Sequence, residues 1–416
     1  MILFNGKLFD DSEQDKLIRC LPLQVMKTMA ALDTERVIRA CDCLARRVIS
    51  GEFNDTALPI LERLGYDLSE LGELAVMFTE EALRKKCSVE LGGELSPING
   101  RIRRRYPLGT ILHIAAGNMD VLPAYSAVEG LLSGNINVLK LPSADSGLSV
   151  FLLRKLIEEE PILKDYIYVF DVPSSDVRSI QMLAAACNAV TVWGGDEAVA
   201  AVRKLCPPDM KIIEWGHKLS FAYAESDAAD DELYCLAEHI CRTNGLLCSS
   251  CQGIFVDTHS RKVQLGFAER FFEILKAAAE KVPALDIGIR GRNTLAARTA
   301  ELEGTSLYGG GVAVITPADS RLEISPLYRN VWVKRLPLEN VYSLKQYKMH
   351  LQTASVLTAD TDKKRIIAEK LAECGIVRIL RPENMSQTLI GEAHDGRYAL
   401  CEYSRIVEFD ENVLKG

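Results

Sequence analysis

The chain has 416 residues, 48% of them hydrophobic and 25% charged, and this balance excludes a disordered or collagen-like protein. Its length exceeds one ordinary hydrophobic core, so we expect two domains or more. With 49 basic and 57 acidic side chains the formal net charge is −8, and the dense basic cluster at residues 101–105 is short, so we expect no nucleic-acid partner.

The amino terminus lacks a basic region followed by an apolar core, so we predict no signal peptide. Apolar runs stay well below the roughly 20 residues that span a bilayer, so we predict no integral membrane segment. Both features predict a cytoplasmic protein whose twelve cysteines are reduced. Most of these cysteines should therefore be packing residues.

Residues 1–100 are predicted to be helical. Asp33 caps a helix whose apolar side chains recur at helical spacing as far as Val48, and Gly51 ends it. A second helix is predicted over residues 68–86. The basic cluster at 101–105 is predicted to be a solvated segment that leads into the first strand.

From residue 107 onward, short apolar strands alternate with helices. Strands are predicted at 110–115, 136–140, 166–172, 189–193, 219–224, 253–256, 312–315, 331–333, 355–357 and 376–380. Helices are predicted near 121–133, 146–158, 176–186, 196–205, 231–243, 260–280 and 361–373. Continuous apolar strands separated by helices predict parallel sheets covered on both faces, a pattern typical of nucleotide-binding domains.

Four cysteines fall within 17 residues, at Cys235, Cys241, Cys248 and Cys251. A zinc site is disfavoured because strong signatures contain two C-x-x-C pairs and this segment has one. A thioredoxin-like redox pair should open a helix after a strand, whereas the C-S-S-C segment follows a helix and precedes a strand. The third interpretation is a nucleophilic Cys248, exposed on a turn among small residues. The residues of this segment alone leave all three open.

Three further polar residues stand beside predicted strands. Asn118 follows the strand at 110–115, Lys140 ends the strand at 136–140, and Glu214 follows an apolar run. A lysine at the carboxyl end of a strand lies where doubly wound sheets bind nucleotides. The ordinary alternatives are a turn asparagine, a solvated lysine and a surface carboxylate.

The order and spacing of these residues resemble the aldehyde dehydrogenase superfamily and, within it, the LuxC-type acyl-CoA reductases. Lys140 lies 140 − 118 = 22 residues after Asn118, and Cys248 lies 248 − 214 = 34 residues after Glu214. The superfamily places a lysine and a catalytic cysteine at or near these offsets. The narrower resemblance rests on the segments H-I-A-A-G-N ending at Asn118, K-L-P-S starting at Lys140, C-S-S starting at Cys248 and H-D-G starting at His394.

The resemblance implies an α/β protein with the aldehyde dehydrogenase fold, in which a Rossmann-type cofactor domain is joined to an α/β catalytic domain. It implies NADPH-dependent reduction of an acyl-CoA, a fatty acyl thioester, to the aldehyde through an acyl-cysteine on Cys248. Coenzyme A would be the leaving group. The Asn118 amide and the Cys248 N–H would hold the oxyanion, and Glu214 would help deprotonate Cys248 or relay protons.

The cofactor is expected against Lys140, Ser143, Gly194 and Gly195. Lys140 would anchor ribose or phosphate, and the two glycines would let the main chain approach the dinucleotide at a helix N-terminus. Many NAD-preferring members carry a glutamate where this chain has Ser143. Loss of that carboxylate removes repulsion toward a 2′-phosphate, which favours NADPH.

Other activities remain open with the same residues. They are a CoA-acylating aldehyde dehydrogenase running in the oxidative direction and an acyl phosphate reductase. From another class, the chain could be a non-catalytic module organised by its cysteines, although we predict no metal site. The resemblance also implies an acyl-CoA or acyl-carrier substrate, an acyl-protein synthetase as partner, and a homo-oligomer, either dimer or tetramer.

These inferences divide the chain into three parts. Residues 1–217 hold the N-terminal helices and the dinucleotide-binding domain, and residues 218–390 form the catalytic domain with the cysteine. Residues 391–416 return to the cofactor domain or to an oligomer interface, through a strand predicted at 398–409. Within this segment, His394-Asp395-Gly396 is predicted to be a turn with its glycine at positive φ.

Overall fold

The computed structural model describes the chain except for residues 29–30, 65–67, 93–94, 96, 116–120, 143–145, 304, 388 and 415–416. Asn118 and Ser143 therefore lie outside the described residues. The chain folds as two compact units. Unit 1 comprises Met1–Gly216 and Leu389–Gly416, and unit 2 comprises His217–Thr388.

The elements are numbered in chain order. The strands are β1 (Ile2–Phe4), β2 (Lys7–Phe9), β3 (Arg101–Pro107), β4 (Thr110–Ile114), β5 (Ile136–Lys140), β6 (Ile167–Phe170), β7 (Ala189–Trp193), β8 (Lys211–Trp215), β9 (Leu219–Ala224), β10 (Cys251–Val256), β11 (Thr305–Gly309), β12 (Val312–Thr316), β13 (Asn330–Arg335), β14 (Leu351–Leu357), β15 (Arg378–Ile379) and β16 (Ser404–Asp410). The helices are α1 (Gln14–Lys27), α2 (Thr34–Ile49), α3 (Asn54–Leu64), α4 (Leu68–Ala75), α5 (Glu80–Glu90), α6 (Leu122–Leu132), α7 (Leu148–Glu159), α8 (Val177–Ala185), α9 (Asp196–Leu205), α10 (Asp230–Thr243), α11 (Arg261–Ala279), α12 (Ile287–Glu303), α13 (Thr361–Cys374), α14 (Ala399–Glu402) and α15 (Glu411–Leu414). Across the described residues, no helix is both long and apolar enough to cross a membrane.

The sheet of unit 1 has the strand order β2-β1-β6-β5-β4-β7-β8. Strands β4 to β8 run parallel, while β1 is antiparallel to β2 and β6. The chain proceeds from β4 outward through β5 and β6, then returns to place β7 on the other side of β4. The strand order therefore reverses between β4 and β7. Open α/β sheets bind ligands beyond the carboxyl ends of the strands at such a switch point.

Burial explains why the apolar runs form this sheet. Every residue of β5 and β6 is buried, which is what helices on both faces of a parallel sheet require. Val138 and Val169, at the centres of these strands, have no exposed surface. Each such side chain contributes roughly 1.5–3 kcal/mol relative to exposure.

The N-terminal region confirms one helix and corrects two predictions. The Asp33 carboxylate accepts the Glu35 N–H at 3.0 Å and caps α2, as predicted. The helix predicted over 68–86 is wrong as a single element, because the Thr79 side chain caps a new helix, α5. The all-helical prediction is also wrong at the amino terminus, where Asn5 and Gly6 at positive φ turn β1 into β2.

The C-terminal strand pairs within the chain. β16 runs antiparallel to β3, from Ser404 opposite Pro107 to Asp410 opposite Arg101. The basic cluster at 101–105 is therefore a paired strand and not the lead-in that was predicted, whereas its side chains are exposed or half-buried, as expected for a solvated segment. Pairing with β16 supplies hydrogen bonds to the main-chain N–H and C=O groups of this charged segment, which explains why it is extended. The strand is also shorter than predicted, because α14 precedes it.

The sheet of unit 2 has the order β11-β12-β13-β10-β9-β14-β15. Its strands are parallel except β11, which forms a hairpin with β12. Gly310 and Gly311, at φ of 62° and 80°, make the two-residue turn of this hairpin. β11 was not among the strands predicted from the sequence.

Both neighbours of the interior strand β9 carry a β-bulge at the same level. Cys251 and Ile254 of β10 pair with Ser220 and Ala222, so three steps along β10 face two along β9. On the other side, three steps from Leu351 to Ala354 of β14 again face two steps of β9. Each neighbour thus has one extra residue, and bulges of this kind redirect side chains, often beside active sites.

Candidate active site

Cys248 lies on the turn between α10 and β10, and its side chain is exposed. α10 ends at Thr243, and Asn244 and Gly245 reverse the chain with φ of 51° and 76°. An exposed thiol on a tight turn is accessible to a carbonyl substrate. Cys248 therefore occupies the kind of position that the nucleophile interpretation requires.

The side chain and main chain of Cys248 are both held by unit 2. Gln352, only 3% exposed, donates from Nε2 to Cys248 Sγ at 3.3 Å. The Ser220 hydroxyl donates to the Cys248 carbonyl at 2.8 Å and accepts the Thr353 N–H at 3.1 Å. Gln352 was not among the residues that the sequence indicated, and no local motif marks it.

The neighbouring cysteines are packing residues. Cys251 is buried and donates its thiol to the Gly253 carbonyl at 3.2 Å, and burial raises its pKa to about 12. Burial also raises the pKa of Cys241, to about 11. Both thiols therefore stay protonated near neutral pH. In the part of the chain that the structure describes, no three His, Cys, Asp or Glu side chains are grouped as a metal site.

Lys140 ends β5 at the carboxyl edge of the unit 1 sheet, next to the switch point. It is 3% exposed, and its Nζ donates to Ser174 Oγ at 2.9 Å. Burial lowers the pKa of Lys140, and the nearby Asp171 carboxylate opposes that shift. A desolvated ammonium at this edge suits a ribose hydroxyl or a phosphate.

The two glycines after β7, Gly194 and Gly195, differ in their surroundings. The Gly194 N–H donates to the Trp215 carbonyl at 3.1 Å, and a Cβ on Gly194 would lie 3.1 Å from that of Ala198. Gly195 is the N-cap of α9 in an extended conformation, and a Cβ there would meet no described atom within 4 Å. Packing thus restricts Gly194, whereas Gly195 leaves room along the carboxyl edge for a dinucleotide.

The N-terminus of α9 is less suited to a phosphate than we expected. Asp196 and Glu197 stand in its first turn, where their carboxylates already complement the helix dipole. Their charge repels a pyrophosphate at this point. Lys140 and the open surface at Gly195 fit a nicotinamide dinucleotide better than this helix end does.

Glu214 lies near the end of β8, with its carboxylate engaged by Arg203. The Arg203 Nη2 donates to Glu214 Oε2 at 2.7 Å, and its Nε donates to the other oxygen. The Glu214 side chain is 22% exposed. Any proton transfer by Glu214 must begin by loosening this bidentate ion pair.

Aromatic side chains gather beside the switch point, at the ends of β7 and β8. Trp193 and Trp215 stack with ring centroids 5.2 Å apart, and His394 lies 5.1 Å from each. The predicted turn at His394 is confirmed, because Gly396 has φ of 74° and the Arg397 N–H donates to the His394 carbonyl at 2.9 Å. The C-terminal segment thus contributes to the carboxyl edge of this sheet.

A buried network of polar side chains links β4, β5, α6 and the C-terminal segment. The Asn137 amide nitrogen donates to a main-chain carbonyl at 2.9 Å, so its oxygen accepts His113 Nε2–H at 2.9 Å. His113 Nδ1 then accepts the Ser126 hydroxyl at 2.8 Å, and Ser126 lies 3.3 Å from the Tyr403 hydroxyl. The network ties the C-terminal Tyr403 to β4 and α6.

The fold defines the structural class. The NAD-dependent aldehyde dehydrogenase from Sinorhizobium meliloti matches with a TM-score of 0.77 at 16% identity, over 98% of this chain and 94% of that one. The glyceraldehyde-3-phosphate dehydrogenase GapN from Methanocaldococcus jannaschii, solved with NADP, matches with a TM-score of 0.70 at 15% identity, over 97% and 95%. The chain has the aldehyde dehydrogenase fold, which confirms the predicted fold class.

Within this class, the sequence model described as "Acyl-CoA reductase (LuxC)" matches residues 29–406, and the chain belongs to that family. The long-chain acyl-protein thioester reductase of Aliivibrio fischeri is 24% identical over 413 residues, covering 92% of this chain and 84% of that protein. The Vibrio harveyi protein of the same name is 24% identical over 354 residues, covering 80% and 71%. The protein is an oxidoreductase of the acyl group, as the resemblance implied.

Proposed function

We propose that the protein reduces a long-chain fatty acyl thioester to the aldehyde, with NADPH as reductant and Cys248 as acyl acceptor. One observation carries the proposal: within the cysteine cluster, Cys248 is exposed and receives a hydrogen bond at its sulfur, whereas Cys251 is buried and donates to a carbonyl. In an acyl-CoA reductase family member, the accessible thiol is the natural nucleophile.

In the first half-reaction the Cys248 thiolate attacks the thioester carbonyl carbon. A new C–S bond forms, and the carbonyl electron pair moves onto oxygen. The Asn118 amide and the Cys248 N–H are proposed to stabilise this oxyanion, and one fixed donor of this kind lowers the barrier by about 3 kcal/mol. Collapse expels the donor thiolate and leaves an acyl-Cys248 thioester.

In the second half-reaction the cofactor, when bound, supplies a hydride to the acyl carbon. Cys248 then carries a thiohemiacetal, whose oxygen takes up one proton. When this adduct breaks down, the oxygen loses that proton, the C–S bond breaks, and the aldehyde departs, leaving Cys248 as a thiolate. Glu214 is proposed to relay the proton, once its ion pair with Arg203 has opened.

Lys140, Ser143, Gly194 and Gly195 are proposed to hold the dinucleotide. The support comes from Lys140 beside the switch point between β4 and β7, and from the room at Gly195. NADPH is proposed over NADH because Ser143 brings no carboxylate toward a 2′-phosphate.

The donor is proposed to be an acyl-protein thioester, with acyl-CoA as the second candidate. The relatives are named acyl-protein thioester reductases, whereas the family is described by acyl-CoA. Both donors present the same thioester carbonyl and differ only in the thiol that leaves. A protein donor implies a synthetase that acylates it, and we propose a partner of that kind, together with a homo-oligomeric assembly.

The test follows NADPH oxidation by the full-length protein with acyl-CoA of increasing chain length and with an acylated protein donor. NADH is run in parallel, and aldehyde is identified by mass spectrometry after trapping as a hydrazone. We expect aldehyde formation with NADPH, absent from Cys248→Ala. CoA-dependent aldehyde oxidation with strong NAD⁺ selectivity would establish the oxidative alternative, and turnover of acyl phosphate alone would establish the other.

A further inference from the structure

We propose that Gln352 is a catalytic residue, whose side-chain amide stabilises the Cys248 sulfur as a thiolate before acylation and again when the aldehyde leaves. The inference deepens the proposed function and rests on it for the role of Cys248. It assigns to β14 a group that contacts the reacting atom.

The contact itself is direct. Gln352 Nε2 lies 3.3 Å from Cys248 Sγ, within reach of an N–H···S hydrogen bond. The Gln352 side chain is 3% exposed, so little water competes for its N–H groups. An amide carries no titratable proton near neutral pH, so it donates to sulfur before and after ionisation. Donation to the charged form favours the thiolate.

Strand pairing holds the main chain of Gln352. It lies in the bulge of β14, where the extra residue between Leu351 and Ala354 interrupts regular alternation. On the outer side, the Gln352 carbonyl accepts the Val377 N–H at 3.0 Å. The amide is therefore presented by paired strand rather than by a loop.

The same bulge also positions the main chain of the nucleophile. The Thr353 N–H donates to Ser220 Oγ, which in turn donates to the Cys248 carbonyl at 2.8 Å. Two consecutive residues of β14 thus determine where the sulfur lies and which group it meets. A purely space-filling residue at position 352 would not need a donor aimed at sulfur.

The experiment measures, in the absence of substrate and over a range of pH, the rate at which iodoacetamide alkylates Cys248. The modified cysteine is identified by fragmentation mass spectrometry of the peptide that contains it. Gln352→Met keeps the length of the side chain and removes the donor. Near neutral pH, we expect alkylation about tenfold slower than in the wild type, since one lost donor to sulfur shifts the thiolate population by about that factor. The deficit should close at alkaline pH, where the thiolate forms without help.

Ser355→Ala is the matched control. Ser355 lies on the same strand, its side chain is buried, and within the described part of the chain its hydroxyl has no hydrogen-bond partner. The substitution removes one buried hydroxyl that the account does not use, so Cys248 should alkylate at the wild-type rate. A general effect of disturbing β14 would slow both variants equally and would overturn the proposal.

Gln352→Glu decides the matter if the methionine variant does not fold. Its carboxylate fills the same space but repels a thiolate. Alkylation of Cys248 near neutral pH should therefore be at least as slow as the rate expected for Gln352→Met. A folded Gln352→Met or Gln352→Glu protein that alkylates at the wild-type rate overturns the role of Gln352. Because alkylation needs no acyl donor or cofactor, failure of the proposed reductase activity would leave this result readable.

Discussion

Gln352 and Cys248 are separated by 104 residues in sequence, yet the amide nitrogen of one lies 3.3 Å from the sulfur of the other. The contact joins a bulged strand to the turn after α10. The donor that contacts the accessible thiol of the cysteine cluster therefore lies on a paired strand. That arrangement keeps a reacting atom and its donor in fixed register.

Replacement of Lys140 by methionine should weaken cofactor binding. Methionine keeps the apolar stem of this 3% exposed side chain and removes the ammonium. Loss of a charge-assisted contact of about 1.5–3 kcal/mol weakens binding about 10- to 100-fold. The measurement is the Kd of NADPH by its fluorescence, without acyl donor. The control is Lys16→Met, at a lysine whose side chain is 73% exposed, and it should bind NADPH as tightly as the wild type does. A Kd for Lys140→Met equal to that of the wild type would show that Lys140 does not bind the cofactor.

His113 should make the protein less stable as the pH falls. Burial lowers its pKa from 6.5 to about 4. Between these values the unfolded chain binds a proton that the folded chain does not, so the free energy of unfolding falls on acidification by up to about 1.4 kcal/mol per pH unit. In urea unfolding, His113→Gln should be less stable than the wild type near neutral pH, and the gap should narrow toward acid. A constant gap would show that His113 does not titrate in this window.

Replacement of Lys86 by methionine should be strongly destabilising. Its Nζ lies 2.5 Å from Glu90 Oε1 and 2.8 Å from Glu129 Oε1, and all three residues are buried. The carboxylates raise the pKa of Lys86 despite burial, so the lysine is charged. Its loss leaves two buried carboxylates unpaired, at a cost of about 3–5 kcal/mol in the free energy of unfolding.

The control for this variant is the adjacent, exposed Lys85. Lys85→Met should change the free energy of unfolding by no more than about 0.5 kcal/mol. Glu90 also accepts the Leu400 N–H at 2.9 Å, so loss of the cluster should loosen the C-terminal segment. Equal urea midpoints for Lys86→Met and the wild type would contradict this account.

Much of the fold could be predicted because the pattern of apolar residues within each segment already indicates its secondary structure. The buried runs at 136–140 and 189–193 form strands with the predicted bounds, since continuous apolar side chains suit a covered parallel sheet. β3 could not be predicted, because Arg101–Pro107 shows no apolar alternation and is extended by pairing with β16 some 300 residues away. Long-range pairing leaves no local signal.

The site divides in the same way. Cys248 could be selected by its offset from Glu214 and by the small residues around it, and Lys140 by its place at the end of a strand. Gln352 could not, because its role depends on a bulge in pairing between strands distant in sequence. The ion pair of Glu214 with Arg203 was equally hidden, since it joins α9 to β8 across a turn. Asn118 and Ser143 lie outside the described residues, and their roles stay predictions.

The central claim is that Cys248 carries the acyl group. The direct measurement incubates the protein with a radiolabelled acyl thioester, without NADPH, and follows label that survives denaturation and is released by hydroxylamine. We expect Cys251→Ala to be labelled as the wild type is and Cys248→Ala to remain unlabelled, because Cys248 is the exposed thiol of this pair and Cys251 is buried. Label retained by a folded Cys248→Ala protein, or lost from a folded Cys251→Ala protein, would contradict the account.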